Sequence, residues 1–444
     1  MKKVLALIFA VLMLAGLMVG CEGGSGGAIE ISVLNYLDLS DPTASGDFEK
    51  IWDAFEEANP DIKLIREDSF NEPFHEKTEA YAAAGELPDV IFCWPSGRST
   101  TLHTQKLLYD LAPLVERDGL ASSYGSGILD PSAQAGGYLA MIPQGVTATN
   151  AFFVNHEVLE ECGLTPAKTY SELVAQVPVL KANGYETIIM PNEDTWVMQS
   201  CLFSLVAGRF CGEGWDQKIL DGQAKFTDDD FVAALAFIEQ MYKDGVIEKS
   251  SLAIGYGEGP GLFATNKGAY YIDGDWRVSA FLTDEETGEA LFTPDQQKNI
   301  SITVFPEIDV AGVQIPAKTN TVVLGTGWGI NADIDEDKLE AAWTLVKWLC
   351  GQEVLTYMLD SGQLSAPSRI DVNMDGLDLE PLQVAMANLS NEYDRATVVI
   401  DGSFEGPVYT PLNDGLQALG NGDITPEEVA ELVQAAFEDW KAMQ

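Results

Sequence analysis

Gly85-Glu86-Leu87-Pro88-Asp89-Val90-Ile91-Phe92 decides the fold. Gly85 and Pro88 punctuate the chain, and the apolar residues from Val90 to Phe92 then read as a buried strand. Before this stretch, a helix spans roughly Pro73 to Ala84, and Ile62 to Ile65 reads as another strand. Earlier still, Phe48, Ile51, Trp52 and Phe55 recur at helical spacing until Asn59-Pro60 stops them. Ile29 to Leu34 is the first strand. The order strand–helix–strand–helix–strand means a parallel layer in an α/β fold. Ligands of such sheets sit beyond the carboxyl ends of strands. Asn35, Tyr36 and Trp94 fall at those ends.

Further on, Gly137 to Ile142 and Asn150 to Val154 read as strands, with Pro143-Gln144-Gly145 between them as a candidate hinge. Thr169 and Glu172 form a capping box. Thr187 to Met190 is a strand that runs into Asn192-Glu193-Asp194-Thr195-Trp196, and an apolar helix covers Val197 to Val206. Gly268 to Arg277 holds a strand at Tyr270 to Ile272, ended by Gly274 and followed by Asp275, Trp276 and Arg277. A large ring between hydrogen-bonding groups at a strand's end suits a polar ligand with one apolar face, such as a sugar. Ile300 to Phe305 and Thr321 to Leu324 complete the strands. The last helix carries Thr425, Pro426 and Glu428 as its start signal.

At 444 residues the chain is too long for one compact core, so two domains are expected. A net charge of -44 argues against nucleic acid, whose phosphates call for Lys and Arg. Lys2 and Lys3 precede an apolar run from Val4 to Val19, the pattern of a secretory signal. Met18-Val19-Gly20-Cys21 resembles the bacterial lipoprotein cleavage box. That resemblance makes residues 1–20 a lipoprotein signal peptide and Cys21 the acylated N-terminus, with two chains enough for stable anchoring. Gly-rich residues 21–28 read as a tether. A Cys201–Cys211 bridge is open on this reading.

Nine tryptophans sort into two groups. Trp52, Trp343, Trp348 and Trp440 lie within helices and read as packing. Trp94, Trp196, Trp215, Trp276 and Trp328 stand in loops beside Gly, Pro or acidic residues and suggest an aromatic-lined cleft. The three histidines show no metal-like pairing, and no Gly-x-Ser-x-Gly elbow occurs. Asp371 to Gly376 matches the start of a calcium loop, but Leu382 stands where the bidentate Glu belongs. No cofactor, metal or catalytic group is expected.

Taken together, Ala58-Asn59-Pro60-Asp61, Ala83 to Val90, Gly137-Tyr138-Leu139 with Pro143, Glu193 to Trp196, Lys267 to Trp276 and the Gly-rich turn before Ile330 resemble the family 1 extracellular solute-binding proteins of ABC importers. The resemblance implies a two-lobed, periplasmic-binding-protein-like α/β fold of type II. It puts hinge segments near Pro143–Gly145, near Val304–Pro306 and just after Cys350. The N-terminal lobe would be 29–143 with 306–350, and the C-terminal lobe 146–303 with 351–444. It implies a monomeric carrier, lipid-anchored on the extracellular face of the membrane, that passes a sugar to an ABC permease. Trp276, Trp196 and Trp328 are the expected stacking platforms. Asp194, Asp275, Asn35, Gln144 and Arg277 are the expected hydrogen-bonding groups, with Trp94 at the cleft edge. A cationic solute such as a polyamine, a surface glycosidase and a purely adhesive protein are the alternatives.

Overall fold

The computed structural model describes residues 28–39, 42–283, 289–372 and 376–443. Cys21, nearly all of the tether, and Asn373 to Asp375 of the acidic loop lie outside the described residues. The chain opens as β1 (Ile29–Tyr36), α1 (Pro42–Ala58), β2 (Ile62–Ser69), α2 (Glu72–Ala84) and β3 (Val90–Cys93). Strands β1, β2 and β3 are parallel, as the sequence order requires. Gly85 caps α2 in the left-handed region at φ 69°, a conformation that costs Gly least. Strand β2 runs four residues further than its apolar signal. It lies at the sheet edge, where Arg66 to Ser69 can face water without spoiling the pairing.

The chain then forms β4 (Met141–Pro143), β5 (Val146–Ala148), β6 (Ala151–Asn155), α3 (Tyr170–Ala182) and β7 (Glu186–Ile189). After β7 comes one helical run in three parts. Trp196–Met198 is α-helical, Gln199–Phe203 is a π-turn and Ser204–Cys211 is α-helical again. The remaining elements used below are α4 (Asp229–Lys243), β8 (Gly268–Asp273), β9 (Ile300–Thr303), β10 (Thr319–Leu324), β11 (Gly327–Ile330), α5 (Leu339–Leu349), α6 (Gln352–Asp360), β12 (Arg395–Thr397), α7 (Gly406–Asn421) and α8 (Pro426–Met443). Thr425 and Glu428 exchange the two bonds of the expected capping box before α8.

The strands make two main sheets, each with its own core. One has the order β2-β1-β3-β11-β4, the other β7-β8-β6-β9. The first packs against Trp52, Phe55, Trp343 and Leu345. In the second, side chains alternate between faces. Phe152 and Tyr270 enter one cluster with α4 and α7, while Phe153 and Tyr271 enter another with Phe263 and Phe281. Two separate cores define two lobes.

A small third sheet, β12-β10-β5, carries the chain between them. Strands β5 and β10 are antiparallel, and the Gly325 N–H donates to the Gly145 carbonyl at 2.8 Å. A Cβ on Gly145 would stand 2.6 Å from the Ala366 carbonyl, so only glycine lets these crossing segments approach. Two of the expected crossing points need correction. Phe305 and Ile308 belong to the second lobe's core, so the chain crosses back at β10 and not at Val304–Pro306. Val354, Leu355 and Met358 of α6 pack in the first lobe's core, so the third crossing follows α6 and not Cys350. Cys201 and Cys211 are both free thiols, which closes the question of a bridge.

Candidate functional site

Strand β8 ends at Asp273, which has no exposed surface. Its Oδ1 accepts from the Gly274 N–H at 2.8 Å and the Tyr256 hydroxyl at 3.2 Å. Its Oδ2 accepts from the Tyr271 hydroxyl and from Arg277 Nε, both at 2.8 Å. A buried carboxylate is tolerable only when so fully partnered. The ring of Tyr256 carries the Arg277 guanidinium over it at 3.8 Å, and the Trp276 indole N–H donates to its hydroxyl at 2.6 Å. Trp196 leans on the same ring at 4.9 Å and lies 6.2 Å from Trp276. Burial, above all, drives the Tyr256 phenol well above its ordinary range, so it stays a neutral donor.

Asp194 joins this box from the end of β7. Its Oδ2 accepts from the Tyr256 backbone N–H at 3.0 Å. Its Oδ1 accepts from Asn71 Nδ2 at 3.2 Å, and Asn71 follows β2 in the other lobe. Asn71 holds a positive φ of 54°, a strained position that Asn tolerates better than most residues.

The first lobe faces the box with its own aromatic group, at the carboxyl ends of β1 and β3. Tyr36 stacks on Phe92 at 5.6 Å and meets Trp94 edge-on at 5.2 Å, and His75 sits 4.8 Å from Trp94. Burial first, then the Arg98 charge, push the His75 imidazole down to about 3, so it is neutral. Arg98 donates to Glu72 at 2.8 Å, approaches Asp401 at 3.7 Å and lies 5.1 Å from the Tyr409 ring centre. Asp401 and Tyr409 belong to the second lobe. Gly97, at φ 47°, lies so close to the Asp401 carbonyl that a Cβ would overlap it at 1.2 Å. The two lobes are therefore in contact around the box.

Among the residues expected from sequence, Trp196, Trp276, Arg277 and Asp194 come together in one box. Trp94 lies in the facing aromatic group. Asn35 is wholly buried, its amide donating to Asp68 at 2.8 Å. Three expectations need correction. Trp328 has no exposed surface and packs edge-on against Trp52 at 5.8 Å and Phe92 at 5.4 Å, inside the first lobe's core. Gln144 is buried, its amide donating to the Leu349 carbonyl at 2.8 Å, so it ties the crossing strand instead of reaching solute. Asp275 is buried too, and its Oδ2 accepts from the Ala148 N–H of β5 at 2.9 Å. Trp215, grouped with the loop tryptophans, is buried against Phe231 and Phe404.

Tyr256, Asp273, Asn71, Arg98 and Asp401 escaped the sequence reading. Tyr256 carried a signal, since Gly255-Tyr256-Gly257 exposes an aromatic between glycines just as the tryptophan loops do. The others are ordinary polar residues until the fold brings them together. Within the acidic loop, Asp371 is held by Arg369 through two bonds of 2.8 and 2.6 Å. No group of metal-ligating side chains occurs among the described residues.

Two hinged α/β lobes with aromatic and polar side chains at facing strand ends define a class of proteins that close around a solute. The sequence profile of the bacterial extracellular solute-binding proteins matches residues 41–354, and the chain belongs to that family. No curated protein sequence matches it in direct comparison. Solved structures agree on the fold. A protein from a study of xylan utilization by the thermophilic bacterium Caldanaerobius polysaccharolyticus superposes with a TM-score of 0.81 at 21% identity, covering 92% of this chain and 99% of that one. A chitin oligosaccharide binding protein gives 0.80 at 20% identity, over 93% and 99%. The maltose-bound MalE3 of T. maritima gives 0.73 at 18% identity, over 93% and 100%.

Proposed function

We propose that this protein captures a sugar or oligosaccharide between its lobes and delivers it to an ABC transporter permease. The observation that carries the reading is the box of Trp196, Tyr256 and Trp276 at the ends of β7 and β8, faced by Tyr36, His75 and Trp94. Indole and phenol faces suit the C–H faces of a sugar ring. Asp194 can take further hydroxyl hydrogen bonds through its remaining lone pairs. Sugar-binding structures sharing the fold, including one in complex with raffinose, support the same reading. A cationic solute is the weaker alternative, because Arg277 already occupies a face of Tyr256.

In this reading the protein is a monomer held outside the cell by an acylated Cys21, it performs no catalysis, and its lobes exchange at β5, β10 and the segment after α6. Tryptophan fluorescence and thermal shift across a panel of mono- and oligosaccharides test it. Saturable responses to a sugar that is recovered uncleaved are expected. A response to spermidine alone would overturn the sugar reading, and released product would make the protein a glycosidase. Cys21→Ser should release the protein into the medium.

A further inference from the structure

Counting donors and acceptors in the box narrows the solute. The acceptors are heavily committed. Both Asp273 oxygens are bonded within the chain, the Tyr256 hydroxyl both donates and accepts, and each Asp194 oxygen already holds a donor. Donors are left over. Trp196 Nε1–H and Arg277 Nη2 are buried and have no hydrogen-bond partner among the described residues. Both side chains pack on the Tyr256 ring, at 4.9 and 3.8 Å. A buried donor left unmet costs free energy, so a group that supplies an acceptor there gains binding from it.

A sugar hydroxyl can meet these donors too, with its proton on a remaining lone pair of Asp194, but it brings no apolar group to set against the three rings. A carboxylate supplies acceptors only. It would enter beside Asp194, however, and the Asp273–Arg277 pair is neutral in sum, so the local charge is already negative. A neutral carbonyl oxygen avoids that repulsion. An acetamido group adds a methyl that fits against the Trp196, Tyr256 and Trp276 rings, and its N–H can turn to a free lone pair of Asp194. Resting on the sugar reading above, we infer that the box selects a 2-acetamido sugar, with Trp196 and Arg277 as the residues that read the acetyl oxygen.

The test is calorimetric titration of the full chain with N,N'-diacetylchitobiose, cellobiose and a glucuronate-containing disaccharide, beside the wider sugar panel. The acetylated dimer should bind about tenfold or more tighter than cellobiose, which shares its linkage. Trp196→Phe keeps a ring and removes the N–H. It should bring the two dimers within about threefold of each other, whatever it does to overall affinity, while leaving the melting temperature nearly unchanged. Cellobiose binding as tightly as the acetylated dimer, a preference that survives Trp196→Phe, or tighter binding of the glucuronate dimer would each overturn the inference. If other sugars bind and none of these does, the sugar reading stands and the inference falls. If no sugar in the panel binds, both fall.

Discussion

Arg277 and Asp273 form a salt bridge of 2.8 Å with little water around it, the two side chains being 12% and 0% exposed. Removing one partner of such a pair leaves an uncompensated charge inside the protein. Arg277→Leu should therefore cost about 3–5 kcal/mol of stability. Adding Asp273→Asn should restore part of that loss, and urea unfolding of the two single variants and the double measures it. Trp328 makes the opposite case, a residue with an energetic role and no contact with solute. Trp328→Ala should cost about 3–5 kcal/mol by opening a cavity, with the affinity of the folded protein for its solute unchanged. The sequence misleads at this residue for a physical reason. Gly327 and Gly329 look like a loop, but they are strand residues. A Cβ on Gly327 would meet the Ile142 carbonyl at 2.0 Å, and one on Gly329 the Ala140 carbonyl at 2.9 Å. The glycines admit a neighbouring strand, so the tryptophan between them is core.

Among elements, the turn after β3 and the segment around Asp401 set how closely the lobes meet. Gly97 lies in the left-handed region and has no room for a side chain in this arrangement. Gly97→Ala should hold the lobes apart and weaken solute binding about tenfold or more, since each 1.4 kcal/mol against the closed form is a factor of ten. Small-angle scattering should then show the same radius of gyration with and without solute. Compaction of the variant equal to that of the parent protein would refute this. Elements with strong local signals were legible in the sequence, among them the β1-to-β3 order, the capping box of α8 and the strand that ends at Asp273. The crossing points were less so. Phe305 reads equally well as the end of a strand and as a hinge, and only its contact with Phe152 assigns it to a lobe.

For the whole molecule, Asp275 links lobe crossing to pH. Burial raises its carboxyl to about 7, against the two backbone N–H groups that lower it. The folded-state value thus lies above the unfolded one. The contribution to stability is complete below about pH 4 and is lost as pH rises through about 7. Asp275→Asn should flatten that part of the stability profile and raise the melting temperature at pH 8, as differential scanning calorimetry over pH 4–8 can record. An unchanged profile would remove Asp275 from the account. At this scale the sequence yielded the two-lobed class and four members of the box. It could not reveal Asp273 or Arg98, because their roles exist only once distant segments meet.

The π-turn at Gln199–Phe203 has a consequence for how the box is kept in register. The extra residue frees carbonyls that the crossing segment uses, with Thr149 donating to Ser200 at 2.8 Å and Asn150 to Cys201 at 2.6 Å. Successive residues on an α-helix point about 100° apart. Deleting Leu202 would regularise the helix, and with Cys211 anchored in the core it would swing Trp196 by about that angle. A relative one residue shorter here would carry its indole on a different wall, and so would grip a differently shaped guest on the same scaffold.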